Sequence, residues 1–179
     1  MRRNGFTLVE LMVGLVIVAI VLMLAAPHYA AFMDNSRVRN ATESFANGMR
    51  QAQLAAVRRN EPVKFMLTSS GWEIRDAANN GLLDAEPVHE LSAAKPPAVV
   101  TEPAGAVEVT FTGLGRALAK NPPNDTNPIV RTKVSPTGAG TRSLGVAISV
   151  PGGNVRVCDP SPKFTYAGST DPIACPYPW

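Results

Sequence analysis

At 179 residues the chain has room for one globular domain plus an accessory segment. A formal net charge of +3 is too small to argue by itself for a nucleic-acid partner. The hydrophobic fraction of 45% is ordinary in size but uneven in placement: Phe6 to Met33 holds 28 residues with one charge, Glu10, while 15 of the 16 prolines fall from Pro62 onward. The chain therefore divides into a long helical N-terminal part and a turn-rich remainder.

The N-terminus reads Met1-Arg2-Arg3-Asn4-Gly5, then Phe6-Thr7-Leu8-Val9-Glu10, then an apolar run from Leu11 to Ala26. A general secretory signal peptide needs a basic start, an apolar stretch and small residues for cleavage, which Ala25-Ala26 or Ala30-Ala31 supply. A plain membrane anchor needs about 20 apolar residues, which Leu11 to Phe32 supply. In either case Arg2 and Arg3 keep the N-terminus cytoplasmic. Neither reading explains Glu10, because a carboxylate near the centre of a membrane helix costs roughly 2.5–3.5 kcal/mol on insertion scales. Such a residue calls for a partner. A free α-amino group on a neighbouring subunit, exposed by cleavage, is one.

From residue 34 the helix continues in amphipathic form. Val38, Ala41, Phe45, Met49, Ala52 and Ala56 recur at spacings of three and four, with Arg37, Arg39, Arg50 and Arg59 largely elsewhere. Asn60 and the restriction before Pro62 stop it. A helix from Phe6 to Arg59 is about 80 Å long.

Residues 63–179 read as short strands separated by Gly, Pro and Asn turns. Val63–Thr68 and Trp72–Arg75 form a hairpin through Ser69-Ser70-Gly71. Val107–Phe111 alternates cleanly, and Ile129–Val134 less so. Leu144–Val150 and Val155–Val157 flank the turn Pro151-Gly152-Gly153-Asn154, and Asn79-Asn80-Gly81 and Asn121–Pro128 are loops. The expected fold is α+β: a long N-terminal α-helix, half apolar and half amphipathic, packed on a C-terminal antiparallel β-sheet domain.

Charge is segregated along the chain. Residues 34–59 balance to +3, residues 60–109 (three bases, eight acids) to −5, and residues 110–179 (seven bases, three acids) to +4. Mixed signs on a solvated surface account for this, and a basic C-terminal face is the functional alternative. Cys158 and Cys175 enclose 16 residues. Exported, they are expected to form a disulfide worth about 3 kcal/mol in the chain-entropy model; in a cytosolic chain they are buried free thiols.

Nothing points to catalysis. The only histidines are His28, in or beside the apolar run, and His89. No metal spacing, nucleophile elbow or phosphate-cradling loop is present; Gly113-Leu114-Gly115-Arg116 lacks the rest of such a motif. Asp84 and Glu86 fall in a turn-rich stretch and read as solvated. Asn40-Ala41-Thr42 and Asn124-Asp125-Thr126 match the glycosylation pattern by chance. No enzyme, metal or cofactor is expected.

Gly5-Phe6-Thr7-Leu8-Val9-Glu10 resembles the signal sequence of type IV pilins and type II secretion pseudopilins. The resemblance implies cleavage by a prepilin peptidase between Gly5 and Phe6, N-methylation of Phe6, and pairing of Glu10 with an adjacent subunit's N-terminus during assembly. It also makes Pro27 the helix-kinking proline and the chain single-pass in a bacterial inner membrane, with its C-terminal part periplasmic and oxidising for Cys158 and Cys175. The expected segments are a leader 1–5, a membrane and filament-core helix 6–33, an amphipathic helix 34–60 and a β-rich domain 61–179. The C-terminal stretch Asn154-Val155-Arg156-Val157-Cys158-Asp159-Pro160, with Ala174-Cys175-Pro176, resembles FimT/FimU-type minor pilins and H-type pseudopilins.

The resemblance implies a subunit that helps initiate or cap a type IV pilus, with other pilins or pseudopilins as partners. The alternatives are an H-type pseudopilin of type II secretion and a FimT-like DNA-binding minor pilin. For the last, the family's basic motif is Gly-Arg-x-Arg, and here Asn154 stands in place of the first Arg. Arg142, Arg156 and Lys163, with Arg116 at the margin, are the candidate DNA contacts, and DNA is not the favoured partner.

Overall fold

The computed structural model describes residues 7–140, 142–160 and 174–175. One helix, α1, spans Leu8–Arg59 without interruption. Its 52 residues make a rod of about 78 Å. It stops at Asn60, which adopts the left-handed conformation (φ 53°, ψ 34°) and turns its N–H back to the carbonyls of Ala56 and Val57. Pro62, two residues on, could not have continued it.

The expected apolar stripe is the buried face. Val38 is 1% exposed, and Ala41, Phe45, Met49, Ala52 and Ala56 are fully buried. Against it pack two four-stranded antiparallel sheets. The strands are β1 Val63–Leu67, β2 Gly71–Asp76, β3 Leu82–Pro87, β4 Ala98–Glu102, β5 Glu108–Phe111, β6 Arg131–Ser135, β7 Leu144–Ile148 and β8 Val155–Cys158. One sheet runs β3-β2-β1-β5 and the other β4-β6-β7-β8. Both contribute to a single core with α1: Phe65, Trp72, Val109 and Phe111 from the first, Val134, Val146, Ile148 and Val155 from the second.

The β1–β2 and β7–β8 hairpins form where the turn residues place them, with shifts of a residue or two at the ends. Two strands, β3 and β4, lie where no strand is expected. Asp84 and Glu86 are therefore on a strand and not in a turn-rich stretch, and every residue of β3 is exposed. Both are edge strands. An edge strand with a wet face needs no apolar alternation and tolerates a terminal proline such as Pro87, so the period-two signal is missing. The loop Asn121–Pro128 is irregular, but Asn121 is buried and braces β5: its Oδ1 accepts the Thr110 N–H (2.9 Å) and its Nδ2 donates to the Glu108 carbonyl (3.1 Å).

The buried charges on the sheets are paired, as burial requires. Arg131 pairs with Glu102, and Lys64 lies 3.9 Å from Glu108. Asp76 meets Arg59 at the end of α1, 3.3 Å away.

A candidate assembly site along the N-terminal helix

The local sequence fixes how α1 begins. Thr7 is the N-cap: its Oγ accepts the Glu10 N–H (3.3 Å), while Glu10 Oε2 accepts the Thr7 N–H (3.0 Å) and the Thr7 hydroxyl (2.8 Å). This is a capping box, and its T-x-x-E signature stands in the sequence immediately before an apolar run. Glu10 thus has a partner within its own subunit. Gly5 and Phe6 lie outside the described residues. The helix is continuous through Pro27, although proline there removes the bond to the carbonyl one turn earlier.

Every residue from Thr7 to Ala30 is exposed. The side chains include Leu8, Leu11, Leu15, Ile17, Ile20, Leu22 and Leu24, each more than half exposed. By length and composition the helix can cross a membrane. At about 25 cal/mol per Å² of apolar surface, water is not the environment in which such a stretch is stable.

Immediately past this stretch the sheet domain grips the rod. Asp34 Oδ2 accepts the Ala139 N–H (2.8 Å) and Asn35 Oδ1 accepts the Arg142 N–H (3.1 Å), so the β6–β7 connection is fastened to the first polar turn of the helix. Higher up, Gln53 Nε2 donates to the carbonyls of Gly115 (2.6 Å) and Gly153 (3.0 Å), one in the β5–β6 connection and one in the β7–β8 turn. Gly153 takes φ +82°, and a Cβ there would collide with the Gly115 carbonyl, so glycine is required. These clasps set the height and rotation of the sheets on α1. Sequence spacing gave no hint of them, since the partners are up to 107 residues apart.

Cys158 and Cys175 are joined. They pack with Ala147 on the face of the second sheet away from α1, tying Cys175 to the end of β8. Replacing both cysteines with serine should lower stability by about 2–4 kcal/mol, read as an earlier chemical-denaturation midpoint of the unreduced protein. An unchanged midpoint would show the segment is held by other contacts.

Two of the candidate DNA contacts are engaged within the chain. Arg142 lies 3.6 Å from Asp159, and Arg156 Nη2 donates to the Ala174 carbonyl (3.4 Å). Lys163 lies outside the described residues, and Arg116 is exposed. Glu43, hydrogen-bonded to Arg39 (2.8 Å) and opposite in charge, raises the pKa of that guanidinium further, so Arg39 is cationic at any physiological pH. Among the described residues no group of three or more His, Cys, Asp and Glu side chains is placed to hold a metal.

A long helix whose first half is bare and whose second half buries one face against antiparallel sheets is the architecture of a pilin-like subunit. The profile of the type II transport protein GspH matches residues 41–166, and that of the prokaryotic N-terminal methylation motif matches residues 1–26. The chain belongs to the GspH family, which places it among the minor pilins and pseudopilins, structural subunits that assemble with others of their kind. Its fold resembles that of the type IV minor pilin FimU of Pseudomonas aeruginosa, with a TM-score of 0.51 at 17% identity over 70% of this chain and 91% of that one. No curated protein matches significantly in sequence.

Proposed function

We propose that the chain is a minor pilin that helps initiate or cap a type IV pilus. In this reading residues 1–5 are a leader removed by prepilin peptidase after Gly5, and Phe6 becomes the methylated N-terminus. Residues 6–33 hold the subunit in the inner membrane and later join the filament core, with Pro27 giving the helix its bend. Residues 34–60 carry the β-rich domain 61–179 on the periplasmic side, where Cys158 and Cys175 are oxidised.

The observation that carries the reading is the bare apolar stretch Thr7–Ala30, continuous with a rod whose remaining length has one face buried by its own domain. Two environments suit it, a bilayer and a bundle of like helices. Moving from one to the other exchanges lipid contacts for helix contacts at little hydrophobic cost. The resemblance to the minor pilin FimU supports the pilus as destination. The family description, a type II transport protein, supports a second reading as an H-type pseudopilin of a secretion filament. DNA binding has less support, because Asn154 interrupts the basic motif and Asp159 offsets Arg142.

The test has two arms. Mass spectrometry of the mature protein should find methylated Phe6 as its first residue, and Gly5→Val should leave the full-length precursor. An N-terminus near Ala31 would restore an ordinary signal peptide and sink the proposal. A deletion strain should then lose surface pili and twitching while still secreting; loss of secretion with normal pili would move the pseudopilin reading to first place.

A further inference from the structure

Just above the bare stretch, α1 and the strands β7 and β8 enclose a groove of about 520 Å³. Its helical wall is Phe32, Asn35, Ser36, Arg39 and Glu43, whose spacing puts them on one face of α1. Arg142, Leu144 and Val157 line the other wall. The lining is thus neither purely apolar nor of one charge: it holds two cations, one anion, two neutral polar groups and three apolar side chains.

Height along the rod gives these groups an order. From Leu11, the first residue past Glu10, to Phe32 the helix rises about 32 Å, and the hydrocarbon core of a bilayer is about 30 Å thick. With Glu10 at one boundary Phe32 reaches the other, and the groove opens in the headgroup layer. Lowest is the exposed Phe32 ring, continuous with the bare stretch. Asn35 and Ser36 follow, about 5–6 Å higher. Arg142 is fixed at their level by the bond from its N–H to Asn35 Oδ1 (3.1 Å). Arg39 comes next and Glu43 is highest. Helical side chains lean toward the helix N-terminus, here the membrane, so both reach downward. Apolar, neutral polar, cation, anion is the order in which a phospholipid presents acyl chains, ester linkages, phosphate and ammonium on the way out of a bilayer.

We infer that this groove is a phospholipid headgroup site: Arg39 and Arg142 hold the phosphate of a lipid whose headgroup ends in a primary ammonium, and Glu43 accepts that ammonium. This rests on the reading of α1 as a membrane helix. Each guanidinium carries five N–H donors. Arg39 engages Glu43 through Nε (2.8 Å), and Arg142 stands 3.6 Å from Asp159, an ion-pair contact beyond hydrogen-bond range, so donors remain for a phosphate. Glu43 has two oxygens and room for a second donor. A phosphate alone would leave Glu43 repelling it, whereas a zwitterionic headgroup meets every charge in the groove with its opposite. Bound there, the lipid fixes the depth and rotation of a subunit that waits in the membrane, and it must leave when the helix is extracted.

The experiment is native mass spectrometry of the full-length chain, taken from membranes in a non-ionic detergent and titrated with three phospholipids of equal chain length. Phosphatidylethanolamine should bind about tenfold more tightly than phosphatidylglycerol, which has no ammonium, or phosphatidylcholine, whose ammonium has no N–H to donate. Glu43→Gln should abolish that preference and leave phosphatidylglycerol bound at least as well. Arg39→Gln with Arg142→Gln should weaken all three about tenfold or more. These side chains are all more than half exposed, so the variants should keep the wild-type melting temperature. Millimolar glycerophosphoethanolamine, the same headgroup without acyl chains, should not displace the lipid; displacement would make this a site for a soluble phosphate ester. Lipid adducts blind to the headgroup, or a preference indifferent to Glu43, would reduce the contact to detergent-like coating of the apolar stretch and overturn the inference. A chain found in membranes without the preference defeats the headgroup site alone, whereas a chain absent from membranes defeats the membrane reading.

Discussion

Glu10→Ala should leave membrane insertion and cleavage intact while reducing incorporation into filaments about tenfold or more. Removing the carboxylate lowers the cost of placing this turn in the bilayer. It also removes half of the capping box, worth about 1 kcal/mol at most solvent-exposed helix starts. Neither change threatens a helix of 52 residues that the sheet domain holds from Asp34 onward. What is lost is the charge that would meet a neighbour's terminal ammonium. At 4 Å and an effective dielectric near 20 such a pair attracts by about 4 kcal/mol. Thr7→Val separates the two roles, because it removes the hydroxyl that caps the helix and keeps the carboxylate. Incorporation should fall far more for Glu10→Ala than for Thr7→Val. Equal amounts of Glu10→Ala and wild type in sheared filaments would remove Glu10 from the assembly step.

Those two residues also illustrate how far the sequence could be read. Glu10 stood out through an energetic contradiction, a charge in an apolar run, but its nearest partner, Thr7, did not. The capping partner sits three residues away on the same turn, a local signal that the charge contradiction overshadows. The buried stripe of α1 and its stop at Asn60 were legible because helical period and capping are local properties. The β1–β2 and β7–β8 hairpins were legible because their turns are spelled in glycine, serine and proline. β3 and β4 were not, since exposed edge strands carry no apolar alternation. Charge bookkeeping by segment misled in a further way. Arg59 with Asp76 and Arg131 with Glu102 pair across segment boundaries, so the acidic middle of the sequence is partly neutralised in the fold. The clasps at Asp34 and Gln53 were beyond reach, because a carboxylate or amide accepting or giving one bond leaves no periodic trace. Exposure was equally invisible: Leu114 reads like any loop leucine until the fold leaves it standing clear of the core.

The second large effect concerns how the sheets seat on the helix, and it pits helix propensity against packing. Gly48 lies in the middle of α1, where replacing glycine with alanine ordinarily adds about 1 kcal/mol of stability. Here it faces the aromatic pair of the first sheet. A Cβ on residue 48 would fall 2.6 Å from Trp72 Cε2, 2.7 Å from Trp72 Cδ2 and 2.9 Å from Phe65 Cε2. The two rings are 6.0 Å apart at 33°, Phe65 is fully buried, Trp72 is 2% exposed, and Trp72 Nε1 donates to Ser44 Oγ (3.1 Å). Neither ring has room to retreat, since β1 and β2 are locked together in register from Val63 with Asp76 to Leu67 with Trp72. Overpacking a tight core costs typically 1–3 kcal/mol, and displacing the indole adds the loss of its hydrogen bond, about 1 kcal/mol. Packing therefore wins over propensity. Gly48→Ala should destabilise by roughly 1–3 kcal/mol, lowering the melting temperature by about 3–9 °C for a chain of this size. Gly48→Leu should separate the first sheet from the rod altogether, giving a protein that keeps its helical circular dichroism and loses its cooperative melt. A Gly48→Ala protein that melts at or above the wild-type temperature would show that the Trp72 seat yields, and that glycine is there for some reason other than the close approach of the rings.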